Sequence, residues 1–141
     1  MSQHLQERAI LTLTDAELLD GFEQCTLPNS AFHHEDHIRV AFLYLSRFSV
    51  LEALQRFQDG LKRFAAWHGK ADLYNETITW AYILLIRERM ARAGLTQDWP
   101  SFKASNPDLF DRRPDLLSRY YRPETLSSPL AKSTFLFPDK F

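Results

Sequence analysis

Three of the five histidines in this chain, His33, His34 and His37, fall within five positions of the run Phe32-His33-His34-Glu35-Asp36-His37-Ile38-Arg39-Val40-Ala41. The run opens what reads as an amphipathic helix from His33 to Arg47. At about 100° per residue, Ala41, Phe42 and Leu45 fall within roughly 60° of Ile38 and define an apolar stripe. His34 lies about 40° from Ile38, inside that stripe, and His37 about 100° away, on its edge. His33 and Asp36 point further round, and Glu35 leaves on the other flank. Two imidazoles spaced i, i+3 therefore face inward, where a polar ring without hydrogen bonds is costly.

Imidazoles in such a place bind divalent metals or act as bases near neutral pH when a carboxylate orients them. Two further residues fit either chemistry: His68, just before Gly69, and Glu76, in the first turn of a later helix. Three histidines and a glutamate suit zinc, iron or manganese, with water in an open position. The candidate metal ligands, and equally the candidate catalytic groups, are His34, His37 and Glu76. Tyr74, Thr77 and His68 are candidate ligand-binding residues, and Asp72 and Tyr74 can orient an imidazole. The set does not match the His-Glu-x-x-His pattern of metalloproteases.

Each residue also has a structural explanation. His34 can be a core histidine bonded to Glu76 or Tyr74, and His33 simply exposed. His68 at a helix C-terminus and Glu76 at a helix N-terminus each suit the helix dipole. Spacing alone leaves a bound metal, a metal-free pocket and purely structural roles open. Cys25 is a poor nucleophile candidate, because a helix C-terminus raises a thiol pKa. No serine carries an elbow signature, and Thr77 and Thr79 are expected to cap or to line a pocket.

The elements that must position these groups are helical. Thr14-Asp15-Ala16-Glu17 is a capping box that opens a short helix ending near Cys25. Ser30 can cap the histidine helix. Ser49-Val50-Leu51-Glu52 reads as a second capping box, and the helix behind it carries Val50, Leu54, Phe57, Leu61, Phe64 and His68 on one heptad-like seam. Gly69 suits the position just past its end. A further helix reads from Tyr74 or Asn75 to Ala93, closed by Gly94; its stretch Ile78 to Ile86 is apolar nearly all round, which marks it as the expected central element. Short connections between antiparallel neighbours then bring His34, His37, His68 and Glu76 to one pole of a bundle.

Six of the seven prolines fall between Pro100 and Pro138. Pro114, Pro123 and Pro129 suit first helical positions, so short helices are expected near 97–104, 114–121 and 129–134, followed by an irregular tail from Phe135 to Phe141. The expected fold class is all-α: a single-domain bundle of about four core helices (about 14–94), wrapped by a C-terminal segment (about 95–141).

Composition narrows the function classes. A net charge of −1 leaves no basic footprint for nucleic acid. One cysteine excludes an internal disulfide and any cysteine-rich zinc module. No apolar run reaches the ~18 residues of a membrane span, and Met1 to Arg8 lack the apolar core of a signal peptide, so a cytoplasmic location is expected. Aromatic residues make up 13% of the chain, a large apolar payload that suits a bulky core or a pocket wall.

The pieces Phe32-x-His34-x-x-His37-Ile38-Arg39-x-Ala41, Arg63-Phe64-Ala65, His68-Gly69, Tyr74-x-Glu76-Thr77-Ile78-Thr79, Leu117-x-x-Tyr120-Tyr121 and Ser128-Pro129-x-Ala131 resemble a family of small bacterial all-helical proteins with no assigned activity. The resemblance spans roughly residues 30 to 138 and singles out His34, His37, Tyr74, Glu76 and Thr77. In that pattern the residue before Glu76 is often histidine; here it is Asn75.

Two functions follow as expectations. The first is a His/Glu pocket at one bundle pole, with or without a divalent metal, for small-molecule binding or for hydrolytic or acid–base chemistry. The second is a non-catalytic interaction module that docks through Tyr120, Tyr121, Phe135 and Phe137. The same aromatics would suit a homodimer interface.

Overall fold

Helices start where the sequence supplies caps. The computed structural model of the protein describes residues 13–28, 32–94 and 96–140. α1 (Asp15–Glu23) begins at the expected capping box: the Glu17 N–H donates to Thr14 Oγ1 at 3.1 Å, and the Thr14 N–H to Glu17 Oε1 at 2.9 Å. Ser30 lies outside the described residues; at the start of α2 (His34–Arg47) the Asp36 carboxylate accepts the His33 N–H at 3.0 Å. α3 (Val50–Trp67) is capped by Ser49, whose hydroxyl accepts the Glu52 N–H at 3.2 Å. Here the second half of the expected capping box is replaced, because Glu52 pairs with Arg56 one turn further on. Gly69, at φ 71°, ends α3 in the left-handed conformation its position requires. α4 (Glu76–Arg92) takes Asn75 as its cap, with Oδ1 accepting the Ile78 N–H at 2.9 Å.

The C-terminal third is a chain of short pieces. α5 (Trp99–Ser105) is followed by 3₁₀ turns at Pro107–Phe110 and Leu116–Arg119, then α6 (Pro123–Leu126) and α7 (Pro129–Ser133). Pro123 and Pro129 stand at the first helical positions as expected. Pro114 does not: the expected helix over 114–121 is only the 3₁₀ turn at Leu116, capped by Asp115. Among the described residues the fold is all-α, with seven α-helices and no strand, and none of its helices is long and apolar enough to cross a membrane.

The central element is α2, not α4. Its six consecutive residues Val40 to Leu45 are all buried, and it packs against α1, α3, α4, α5 and the Pro107–Phe110 turn. α4 keeps one flank open, with Leu84 41% exposed. At Gly60 on α3, an added Cβ would lie 2.3 Å from Phe22 Cε2 of α1. Only glycine lets the Phe22 ring sit there.

The wrapping segment belongs to the core. Phe102, Leu109, Leu116, Leu117, Tyr121 and Ala131 are all buried, and full burial of one such large side chain stabilises by about 1.5–3 kcal/mol. Polar bonds lock it to α4. The buried Thr77 hydroxyl donates to the Thr134 carbonyl at 2.8 Å and accepts the Leu136 N–H at 3.1 Å. Tyr121 Oη donates to the Leu136 carbonyl at 2.7 Å. Arg89 forms a two-pronged pair with Asp108, which also holds Arg119 at 3.2 Å.

Candidate functional site

Three helices present one face each to a cavity of about 290 Å³. From α2 come His34, His37, Ile38 and Ala41; from α3 come Phe57, Leu61, Phe64 and Ala65; from the start of α4 come Asn75, Ile78, Thr79, Tyr82 and Ile86. Every set follows helical spacing of three and four, so the cavity lies where three buried stripes meet. Phe32 closes one side, and Lys70, Leu73 and Tyr74 complete the lining at the α3–α4 turn. Lys70 and Leu73 are exposed, so the cavity opens there.

The expected pair, His34 and His37, does reach one space. His34 Nε2 lies 2.8 Å from the Leu109 carbonyl. A carbonyl only accepts, so Nε2 carries the hydrogen and Nδ1 is left as an acceptor. Its ring meets the edge of Tyr82 at 5.0 Å between centroids. Burial lowers the His34 pKa; the Leu109 bond opposes that shift, and Arg112 adds to it. His37 packs on Phe32, with ring centroids 4.4 Å apart. Among the described residues its ring has no hydrogen-bond partner, and it is half-buried against the cavity space. Burial first, then the nearby His34, Arg112 and His33, push its pKa down to about 4. Both imidazoles are therefore neutral at pH 7.

Most other polar groups in the lining are already paired. Tyr74 Oη donates to Glu76 Oε1 at 2.6 Å; burial, and then this bond, raises the tyrosine pKa. Asn75 Nδ2 donates to the Leu126 carbonyl at 2.7 Å, and Thr79 Oγ1 to the Asn75 carbonyl at 2.8 Å. Tyr82 is the exception: its hydroxyl is buried with no partner among the described residues, and burial, then Asp115, raises its pKa.

The metal trio is not assembled. Glu76 does not line the cavity; its carboxylate takes the Tyr74 hydroxyl and lies 3.9 Å from Lys62 Nζ. Among the described residues no three histidine, cysteine, aspartate or glutamate side chains are grouped to hold a metal ion. The physical reason is local: Tyr74 sits two residues before Glu76, and the chain's entry into α4 turns the two side chains onto each other. His68 also stays outside the lining. Its ring packs on Phe64 at a tilt of 47°, with centroids 4.5 Å apart, and Phe64 in turn meets Phe32 at 4.9 Å. Thr77 fastens the C-terminal segment rather than facing the cavity. Asp36, expected to point away from the core, is 7% exposed, drawn in by its bond to the His33 N–H.

Tyr82 and the phenylalanine walls escape a reading by residue type, because a tyrosine in an apolar helix reads as core. The available signal was positional: Asn75, Thr79 and Tyr82 break the apolar stripe of α4 just as His34 and His37 break that of α2. Compared with known proteins, the chain matches no family model, no curated protein and no solved structure.

Proposed function

We propose that this protein binds a small organic molecule in the cavity between α2, α3 and α4, with His37 as its main polar contact. The observation that carries this reading is a side chain without a partner: the neutral His37 ring faces an apolar-walled space and offers one donor and one acceptor. Convergent polar groups in an apolar concavity are the usual form of a ligand site. Size supports it, since an apolar cavity of about 150 Å³ already holds benzene.

Binding is favoured over acid–base catalysis by the same residue. A general base works best with a pKa near the working pH, and His37 at about 4 is a weak base. A cytoplasmic, metal-free role fits this reading, with the single cysteine in accord. The docking alternative has less to stand on, because Tyr121 is buried and Phe135 stacks on Trp80 at 5.6 Å, which leaves Phe137 as its one fully exposed ring.

The test is a fragment screen by amide chemical-shift perturbation, run on the wild type and on Ala65→Phe, which fills the cavity from α3. Hits that shift amides of α2, α3 and α4 in the wild type and vanish in the folded variant support the proposal. A library with no such hit refutes it.

A further inference from the structure

We infer that the ligand is an uncharged aromatic molecule of phenolic type, its ring among Phe32, Phe57 and Phe64 and its hydroxyl on the His37 imidazole. This inference rests on the binding reading above and adds the ligand's chemical class. Four observations lead to it, and each removes an alternative.

Volume sets the size. A space of about 290 Å³ is roughly twice the apolar cavity that admits benzene, so it holds about ten heavy atoms. Wall chemistry sets the shape. Phe32 and Phe64 meet at 4.9 Å with their planes tilted by 56°, and flat rings pack against such tilted faces and edges.

Charge sets the polarity. Among the described lining residues no carboxylate occurs, and Lys70, exposed at the rim, is the one permanently charged side chain. An ion placed deeper would be buried without a counter-ion, which is strongly unfavourable. The free hydrogen-bonding capacity sets the functional group. Tyr74, Asn75 and Thr79 are committed to Glu76, Leu126 and the Asn75 carbonyl. His34 has spent its Nε2 hydrogen on Leu109. His37 remains, beside the Tyr82 hydroxyl, unpartnered among the described residues, and the acceptor Nδ1 of His34, and its neutral imidazole exposes either a donor or an acceptor according to its tautomer. A hydroxyl satisfies both cases, because it donates and accepts.

The experiment uses three probes that differ in one group: p-cresol, p-xylene, where methyl replaces hydroxyl, and p-toluate, where carboxylate replaces it. Dissociation constants are measured by NMR titration for the full chain, for His37→Leu and for His37→Gln, which keeps a donor and an acceptor. The expected result is that His37→Leu weakens p-cresol about 3- to 10-fold, the range of one net hydrogen bond. The same change leaves p-xylene within about 2-fold, and His37→Gln restores most of the p-cresol affinity. In the wild type p-toluate binds at least about 10-fold more weakly than p-cresol, as an unpaired buried charge requires.

Tighter binding of p-toluate, lost in Lys70→Ala, would overturn the inference in favour of an anion held at the rim. Equal losses of p-cresol and p-xylene in His37→Leu would overturn it too, because the histidine would then act through packing alone. If no probe binds but library fragments do, the phenolic class is wrong and the cavity reading stands. If neither probes nor fragments bind, both fail together.

Discussion

At one end of α4, Thr77 is buried and its hydroxyl makes two hydrogen bonds to the C-terminal segment; one turn and a half further along, Tyr82 is also buried and its hydroxyl makes none among the described residues. The contrast extends beyond these two residues. Where the C-terminal segment lies against α4, part-buried polar groups find partners within the chain: Tyr121 on Leu136, Asn75 on Leu126, Arg89 on Asp108. Around the cavity, the buried Tyr82 Oη has none among the described residues, and neither has His68 Nε2 behind Phe64. Buried polar groups are almost always satisfied, so the first region is complete in itself. The second has capacity left over. Internal pairing is concentrated on one side of α4 and unspent hydrogen-bonding capacity on the other.

That division can be broken from the stable side first. Truncation after Ser128 removes the buried Ala131, both Thr77 partners, the Tyr121 acceptor and the Phe135 ring on Trp80. The expected loss is comparable to the ~5–15 kcal/mol net stability of an ordinary domain; circular dichroism should show no cooperative thermal transition. A truncated chain that still melts cooperatively would show the wrap to be dispensable. Thr77→Val is the next largest effect. It leaves a part-buried carbonyl and N–H without their partner, for a loss of about 1–3 kcal/mol in urea denaturation.

On the cavity side the effects are smaller and depend on pH. His37 has a folded pKa of about 4 against the 6.5 of an unperturbed histidine. The unfolded chain therefore takes up a proton between these values and the folded chain does not. Its contribution is fully present above about pH 6.5 and is lost as pH falls toward about 4, because the unfolded state binds more protons there. The groups facing it, His33, His34 and Arg112, all oppose its protonation. Relative to His37→Gln, the wild type should lose roughly 2 kcal/mol more between pH 7 and pH 4. Parallel pH curves for the two proteins would remove His37 from the account.

The smallest effect is the sharpest comparison, because the same atom is deleted twice. Tyr121→Phe removes a made hydrogen bond and should cost about 1 kcal/mol. Tyr82→Phe removes a hydroxyl with no partner and should be neutral or stabilising by up to about 1 kcal/mol. Equal losses in the two variants would erase the distinction between the regions.

Much of the frame was legible because it is local. The Thr14–Glu17 box, the Gly69 and Gly94 turns and the inward pairing of His34 with His37 depend on residues within one or two turns of each other. The centrality of α2 is also written in Val40 to Leu45, an apolar run as complete as that of α4, but one preceded by a polar, histidine-rich first turn that lowers the apolar average of the helix. Long-range pairings were not legible. His34 finds its acceptor 75 residues away at Leu109, and Thr77 its donor 59 away at Leu136; no local pattern specifies either partner. Glu76 lies outside the cavity lining for the opposite reason, a very short-range partner in Tyr74.

The row of rings from His37 through Phe32 and Phe64 to His68 has a spectroscopic consequence. Aromatic rings shift the resonances of nuclei above and beside them, and the shift changes steeply with small tilts. The His68 imidazole stands at the far end of that row, outside the cavity. A molecule that tilts Phe32 or Phe64 therefore writes its arrival into the His68 ring-proton frequencies without touching that residue, which gives the protein a built-in magnetic reporter of its own occupancy.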